Sequence, residues 1–250
     1  MSMEHASAIA VISDIHGNKH ALEAVLRDTD ARGIHSIVNL GDALFGPLDP
    51  VGTARLLMAR PDMTHIMGNC DRYLLQDEMD SATFRYVKPL LTAEIEAWLR
   101  GFVRTAARDD ALFCHGTPFS DEAYLLEEVT AAGVRNRSYD ALMAELAPIR
   151  QRVVFAGHTH LQKTIRLPDG KLLVNPGSVG LPAYEEAFPF PHAMEACTPH
   201  ARYAIASKQG EAWEIEHIAL PYAHEVAAEI AARNGRDDYS HAIRYGRALG

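Results

Sequence analysis

Five short segments of the chain place potential metal ligands at the ends of apolar runs. They are D-I-H at 14–16, G-D at 41–42, G-N-C-D at 68–71, C-H-G at 114–116 and G-H-T-H at 157–160. The i, i+2 spacing in the first and last segments puts two side chains on one side of an extended chain. Since imidazole nitrogens and carboxylate or amide oxygens bind divalent cations, the segments predict a metal site.

The number of these side chains indicates more than one metal ion. The candidate ligands are Asp14, His16, Asp42, Asn69, His115, His158 and His160. A tetrahedral zinc site uses about four ligands, whereas two ions that share a carboxylate would use all seven. Any one segment alone could be an ordinary polar loop, but five such loops at strand ends are not expected by chance.

The segments around these residues read as a mixed α/β protein. Short apolar runs predict buried strands at 8–14, 36–42, 64–69, 111–116, 152–158 and 171–177. Helical periodicity occurs at 20–33, 49–60, 92–102, 138–149, 222–235 and 239–249. Hairpins are predicted around Asp169-Gly170 and around Gly210. A βαβαβ order followed by antiparallel strands predicts a mixed sheet core covered by helices, with ligands at the carboxyl ends of the strands.

The chain lacks repeats and obvious linkers, so we expect one domain over 1–250 with a helical extension at about 222–250. Residues 183–200 are predicted to form a long loop interrupted by prolines, of a length that is often functional.

Composition limits the class of partner and the compartment. The formal net charge of -9 argues against broad nucleic-acid binding, which needs a basic surface. Three cysteines without a C-x-x-C pair favour a reducing compartment, and with no signal-peptide pattern we expect a cytoplasmic protein. No apolar run approaches the roughly 18 residues of a membrane helix, so no membrane partner is expected.

The order of the five segments resembles the calcineurin-like metallophosphoesterases. That family shows D-x-H, G-D, G-N-[HC]-[DE], H and G-H-x-H in this order, and all five stand here between Asp14 and His160. The strings S-D-I-H-G-N, G-D-A-L-F-G-P, G-N-C-D and N-P-G-S-V-G resemble the small bacterial and archaeal phosphodiesterase branch. The resemblance covers roughly the first 220 residues and implies a four-layer αββα sandwich with two mixed β-sheets flanked by helices.

The same resemblance implies how the ligands are shared between two divalent metal ions. One ion would be held by Asp14, His16, Asp42 and His160, and the other by Asp42, Asn69, His115 and His158. Asp42 would bridge them. Mixed nitrogen and oxygen ligands suit manganese with iron or zinc, with nickel as a further candidate, better than magnesium.

The implied activity is hydrolysis of phosphodiester or nucleotide-type phosphate esters by a metal-bridged hydroxide that attacks phosphorus. The G-D-x-x-D-R-G block of the family's protein phosphatases is replaced here by G-D-A-L-F-G-P, which argues against a dedicated protein phosphatase. The alternatives are a phosphomonoesterase on the same site, or a non-catalytic scaffold with this fold, as in one retromer subunit. The expected partner is a small phosphate ester, and a homodimer is a reasonable expectation.

Three residues of the G-N-C-D segment receive roles besides metal binding. Asn69 and Cys70 are expected to contact substrate, with Cys70 at the position where relatives place a histidine that protonates the leaving group. We expect Cys70 to be neither a metal ligand nor the main acid, and to have a thiol pKa lowered by two nearby cations. Asp71 is assigned a catalytic role, through a hydrogen bond that orients its surroundings.

The substrate-binding walls are expected to come from three segments, 42–50, 117–126 and 183–200. Their aromatic residues are Phe45, Phe119, Tyr124 and Tyr184. His192 is interpreted as a solvated loop residue. The turn at 176–180 is expected to lie near the metals, with its backbone contacting phosphate.

Overall fold

The structure is a computed structural model that describes residues 8–250, so residues 1–7 of the predicted domain lie outside the described residues. The first five-stranded sheet has the order β14-β13-β1-β2-β3. Its strands are β1 (Ile9–Ile12), β2 (Ser36–Asn39), β3 (Thr64–His65), β13 (Ala201–Gln209) and β14 (Ala212–Leu220). The second sheet has the order β4-β5-β8-β10-β9. Its strands are β4 (Ala106–Arg108), β5 (Ala111–Phe113), β8 (Val153–Phe155), β9 (Lys163–Arg166) and β10 (Leu172–Asn175).

Helices and two small hairpins complete the chain. The α-helices are α1 (Lys19–Ala31), α2 (Pro50–Met58), α3 (Asn69–Leu74), α4 (Ala82–Val87), α5 (Ala93–Arg100), α6 (Tyr139–Leu146), α7 (His224–Arg233) and α8 (Asp237–Tyr245), with a 3₁₀ turn at Lys88–Leu90. The hairpins pair β6 (Glu127–Thr130) with β7 (Gly133–Asn136), and β11 (Ala183–Glu186) with β12 (His192–Glu195).

Both large sheets are mixed, as predicted. In the first sheet β1, β2 and β3 are parallel, and β13 pairs antiparallel with β1. In the second, β5, β8 and β10 are parallel, and β4 and β9 run antiparallel at the edges. The parallel strands therefore bring their carboxyl ends to one edge of each sheet.

Side-chain alternation along the strands explains the four layers. Ile9 and Val11 point between the sheets and pack in one cluster with Phe113 and Phe155, whose rings stack 5.0 Å apart. Their neighbour Ile12 belongs to the cluster on the other side of the sheet, with Leu22 of α1. Because successive side chains point to opposite faces, one short apolar strand is buried on both. The outer face of the second sheet is covered in the same way by α6.

The predicted long loop at 183–200 is wrong, because most of this segment is the β11–β12 hairpin. Tyr184 lies opposite Met194 in the antiparallel ladder. Pro189 and Pro191 lie between the two strands, where a missing backbone donor costs no ladder hydrogen bond. The prolines thus mark the tip of a hairpin and do not interrupt either strand.

The two C-terminal helices pack on the body of the protein. Ile243 of α8 and three alanines of α7 form a buried cluster with Leu48, in the loop before α2. Ala242 of α8 packs with Leu181 and Ala183 at the start of β11. We propose that these helices are an extension of a single domain. Among the described residues, no helix combines the length and the apolar character needed to cross a bilayer.

This proposal predicts that Ile243→Ala destabilises the whole protein in one cooperative transition. Ile243 is fully buried, and isoleucine-to-alanine changes at such sites lower the free energy of unfolding by about 2–5 kcal/mol. Urea unfolding followed by circular dichroism checks it. Val226→Ala on the exposed face of α7 is the control, with a change within about 0.5 kcal/mol. A separate early transition for the helices would contradict the single domain.

Candidate metal centre

The seven predicted ligands meet where the two sheets place the carboxyl ends of their parallel strands. Asp14 and His16 follow β1, and Asp42 follows β2. Asn69 is the first residue of α3, which begins after a three-residue connection from β3. From the second sheet, His115 follows β5, while His158 and His160 follow β8. Each of the seven is less than a tenth exposed except His158, which is intermediate.

The backbone at these loops is strained. Five ligands have positive φ angles: Asp14 at 55°, His16 at 48°, Asp42 at 55°, His158 at 67° and His160 at 59°. Such conformations cost of order 1–3 kcal/mol each in residues other than glycine, and they concentrate at functional sites. Hydrogen bonds between loops hold them in place, such as that from the His16 N–H to the Asp42 carbonyl at 2.9 Å.

The ligand atoms form two clusters. In the first, His16 Nε2 lies 3.2 Å from His160 Nε2, which lies 3.4 Å from Asp14 Oδ1. In the second, His115 Nε2 lies 3.4 Å from Asp42 Oδ2 and 3.0 Å from Asn69 Oδ1, and His158 completes the group.

Asp42 faces both clusters with one oxygen atom. Its Oδ2 lies 3.9 Å from His16 Nε2 and 3.4 Å from His115 Nε2. Its Oδ1 accepts a hydrogen bond from the Cys70 N–H at 3.0 Å. One oxygen is therefore fixed by the backbone, and the other is placed where a bridging carboxylate would need it.

Backbone carbonyls set which nitrogen each histidine presents. Nδ1 of His16, His115 and His160 donates to the carbonyls of Phe45, Leu40 and Leu181, at 2.8, 2.9 and 2.5 Å. Their Nε2 lone pairs therefore point into the site. His158 is reversed: its Nε2 donates to the Glu122 carbonyl at 3.1 Å, which leaves Nδ1 for the site.

The arrangement fits metal ions. With these proton positions, the lone pairs of His16 and His160 face each other at 3.2 Å. Asp14 Oδ1 is buried and has no hydrogen-bond partner among residues 8–250. A buried acceptor without a partner costs about 1–3 kcal/mol, and a cation between these atoms would satisfy all three.

Electrostatics favour positive charge at the same place. Burial raises the pKa of the Asp14 carboxyl, but the charge and hydrogen bonding of the adjacent His160 outweigh burial and bring the pKa down to about 2. For Asp42 burial also opposes ionisation, and His115 nevertheless holds the pKa well below its usual range. Conversely, burial lowers the pKa of His115, but the Asp42 carboxylate raises it to about 10, so Nε2 of His115 binds a cation, either a proton or a metal ion, strongly. The two carboxylates thus stay ionised and stabilise a cation between the strands.

Asp71 positions the loop that carries Asp42. It is fully buried, does not line the cavity described below, and accepts backbone N–H bonds from Asp42 at 2.7 Å, Ala43 at 2.9 Å and Gly68 at 3.1 Å. Burial, and then the Asp42 charge, raise its pKa to about 7. A Cβ atom at Gly68 would lie 2.1 Å from Asp42 Oδ1, so only glycine allows this approach. The geometry supports the orienting part of the role assigned to Asp71.

Cys70 lies at the edge of the first cluster, with Sγ within 4.8 Å of ligand atoms of His16 and Asp42. Burial raises the pKa of its thiol, and the Asp42 carboxylate adds to this effect. The expectation of a lowered pKa concerns a thiol beside two bound cations and stays a prediction.

The turn at 176–180 supports the Asp14 loop. The Val179 and Gly180 N–H groups donate to the carbonyls of Ser13 and Asp14, at 2.9 and 3.1 Å. Ser178 Oγ donates to the Asp14 carbonyl at 2.7 Å. These donors are already used within the protein, and contact of the rest of this turn's backbone with phosphate stays a prediction.

A cavity of about 1080 Å³ opens over the two clusters. Three predicted wall residues line it, Phe45, Tyr124 and Tyr184, whereas Phe119 is half exposed and does not. His192, interpreted as solvated, faces Tyr124: its Nδ1 donates to the Phe190 carbonyl, so its Nε2 accepts from the Tyr124 hydroxyl at 3.1 Å.

Other wall residues were missed by the sequence analysis. They include Tyr73, Arg236 and Tyr239. The last two come from α8 and its N-cap, a segment without a recognisable motif. For Tyr73 the sequence offers one local signal, an aromatic residue two positions after the G-N-C-D segment.

The Asp71 geometry predicts that Asp71→Asn weakens metal binding about 10–100-fold, the usual effect of losing a residue that orients ligands. The amide would turn an N–H₂ group towards one of three backbone donors. Isothermal titration with Mn²⁺ checks it. Asp62→Asn, an exposed carboxylate after α2, should bind as the unmodified protein does, and equal affinities for all three proteins would refute the positioning role.

Known proteins resemble this chain in sequence or in fold. An uncharacterized protein of Methanocaldococcus jannaschii is 27% identical over 197 residues, which cover 70% of this chain and 77% of that protein. A metallophosphoesterase from Sphaerobacter thermophilus has a TM-score of 0.72 at 20% identity, covering 94% of this chain and 98% of that one. A hypothetical protein from Pyrococcus horikoshii has a TM-score of 0.72 at 16% identity, covering 96% and 98%. At such identities the two structures establish the fold alone.

The family follows from a match over the part of the chain that carries the site. The model of the calcineurin-like phosphoesterase superfamily domain matches residues 8–191, which include all seven candidate ligands. The resemblance read from the five segments is confirmed, and the chain belongs to the calcineurin-like phosphoesterase superfamily.

Proposed function

We propose that this protein is a phosphodiesterase that uses two divalent metal ions, manganese with iron or zinc, to hydrolyse phosphodiester or nucleotide-type esters. The observation that carries the proposal is a pair of ligand clusters at the base of a large cavity, with Asp42 Oδ2 within 3.9 Å of a histidine nitrogen in each. When bound, such ions would activate water and withdraw charge from the phosphoryl oxygens.

The protein's own residues fix the positions of the candidate ligands. Carbonyl partners fix the imidazoles, and Asp71 fixes the loop of Asp42, so the ligands need little rearrangement to bind. Asn69 holds its amide oxygen beside His115 and its nitrogen towards Cys70 Sγ, at 3.7 Å. Asn69 and Cys70 therefore line the part of the cavity next to the metal ligands, where the phosphoryl group of a substrate would bind.

Two features favour a diester over a monoester. A volume of about 1080 Å³ is at the upper end for small-molecule sites, and it leaves room for a second ester group. Within the described chain, the cavity-lining arginines are already paired, Arg137 with Glu145 and Arg236 with Asp238. A dianionic monoester thus lacks the free guanidinium that would offset its second charge.

The rival reading as a non-catalytic scaffold is disfavoured by the same geometry. A scaffold has no need to keep strained ligand loops and a buried Asp14 oxygen without a partner in the described chain. A screen of the Mn²⁺-loaded protein with bis-p-nitrophenyl phosphate and p-nitrophenyl phosphate tests both points. We expect faster turnover of the diester. Metal well below one ion per chain, with no turnover of either ester, would refute the proposal.

Asp42→Asn and His158→Ala should each lower kcat/KM for the diester at least about a hundredfold, because even the residues behind metal ligands contribute 10–100-fold. His35→Ala, an exposed histidine outside the site, should retain normal kinetics. Full activity in either ligand variant would overturn the assignment of the two clusters.

Cys70→Ala should lower turnover of bis-p-nitrophenyl phosphate less than about tenfold, because p-nitrophenolate leaves without protonation and Cys70 is not the main acid. Cys70→His should raise turnover of an alkyl diester relative to Cys70→Ala, since an imidazolium can protonate a poor leaving group. A loss in Cys70→Ala as large as that of Asp42→Asn would contradict this role.

A further inference from the structure

The wall of the cavity beyond the metal ligands is acidic. In the described chain it carries seven carboxylates besides Asp42, against two arginines. Both arginines are engaged by carboxylates of the same wall, as described above. A substrate with several negative charges would therefore meet an unfavourable field on leaving the metal centre.

One of these carboxylates is buried and incompletely paired. Glu127, at the start of β6, is 2% exposed and lines the cavity. Its Oε1 accepts a bond from Lys163 Nζ at 2.5 Å. Its Oε2 is buried and has no hydrogen-bond partner within residues 8–250. Lys163 thus offsets part of the Glu127 charge, and a second cationic group beside Oε2 would offset the rest.

Two tyrosines line the same cavity as Glu127 and lie next to candidate metal ligands. The Tyr184 hydroxyl lies 2.9 Å from that of Tyr124. The Tyr124 ring centre lies 5.0 Å from that of His158, and the Tyr184 ring centre lies 4.6 Å from that of His160. This aromatic pair therefore adjoins both clusters.

A second carboxylate lines the same cavity. Glu186 is the last residue of β11, two residues after Tyr184, and its side chain lines the cavity. Burial raises the pKa of the Tyr124 phenol, and the charges of Glu186 and Glu127 raise it further, whereas the bond from Tyr184 lowers it. Glu127 and Glu186 thus both face the cavity that Tyr124 lines, and both charges act on its phenol.

We propose that Tyr124, Tyr184, Glu127 and Glu186 form an ammonium subsite, which binds a positively charged amino-alcohol group of the phosphodiester substrate. Aromatic faces and carboxylates are what a desolvated ammonium group requires, and aromatic recognition is strongest for quaternary ammonium. The substrate is then a zwitterion, with its phosphate at the metal ligands and its ammonium at the subsite. This inference rests on the proposed phosphodiesterase function and narrows its substrate class.

A matched pair of substrates isolates the charge. In p-nitrophenyl phosphorylcholine the ester carries a trimethylammonium group, and in p-nitrophenyl 3,3-dimethylbutyl phosphate a carbon atom replaces that nitrogen. In both, water adds to phosphorus and the P–O bond to nitrophenol breaks, which releases p-nitrophenolate, a proton and the remaining monoester. We expect kcat/KM to be higher for the choline ester by about tenfold.

Variants assign the preference to the subsite. Glu127→Gln keeps an acceptor for Lys163, and Glu186→Gln changes an exposed side chain that should not disturb folding. Each should lower the ratio of the two kcat/KM values towards one. Glu211→Gln removes an equal charge from an exposed residue outside the cavity, and its ratio should equal that of the unmodified protein.

A binding measurement needs no turnover. Phosphocholine should bind more tightly than 3,3-dimethylbutyl phosphate by isothermal titration, and Glu127→Gln should reduce that difference. Inhibition of choline-ester hydrolysis by glycerophosphocholine in solution, compared with phosphatidylcholine vesicles, shows whether the headgroup comes from a soluble diester or from a lipid.

The outcomes separate the two proposals. Equal kcat/KM for the paired esters, or a preference for the choline ester that survives in both glutamate variants, overturns the ammonium subsite and leaves the phosphodiesterase standing. Turnover of bis-p-nitrophenyl phosphate without turnover of either paired ester also overturns the subsite. Loss of turnover of all three esters overturns the phosphodiesterase and the subsite with it.

Discussion

The buried carboxylate of Asp42 is the interaction on which the rest of the site depends. One oxygen faces a histidine from the first sheet and a histidine from the second, while the other is tied to the backbone of α3. A buried carboxylate destabilises the fold unless an opposite charge lies near it. The histidines and the proposed cations supply that charge, and the loops must converge closely for this to work.

That convergence explains features that look unfavourable in isolation. Five ligands accept positive φ angles, and Gly68 leaves no room for a side chain against Asp42. Packing between the two sheets, which includes the stacked rings of Phe113 and Phe155, stabilises these strained loops. Hydrogen bonds between loops of the two sheets stabilise them further. Asp71, and the backbone carbonyls that accept hydrogen bonds from the histidines, thus hold the candidate ligands in place independently of any metal ion.

The sequence predicted that these seven side chains converge because their signal is local. Each stands directly after an apolar run, and parallel strands bring such positions to one edge without further information. Features that depend on distant segments could not be read in this way. His158 presents Nδ1 because the Glu122 carbonyl lies beside its other nitrogen, which only the folded loop reveals. The hairpin at Ala183–Glu186 and His192–Glu195 was hidden by its prolines, and Tyr239 joins the wall through tertiary packing of α8. The raised pKa of the Cys70 thiol follows from burial, and then from carboxylates that only the fold brings together.

The most direct test of this account is anomalous diffraction from crystals of the Mn²⁺-loaded protein, recorded on both sides of the manganese absorption edge. The account predicts two peaks per chain, one among Asp14, His16, Asp42 and His160 and the other among Asp42, Asn69, His115 and His158, with Asp42 touching both. A single peak, or a second peak away from these side chains, would contradict the shared carboxylate and with it the dinuclear centre.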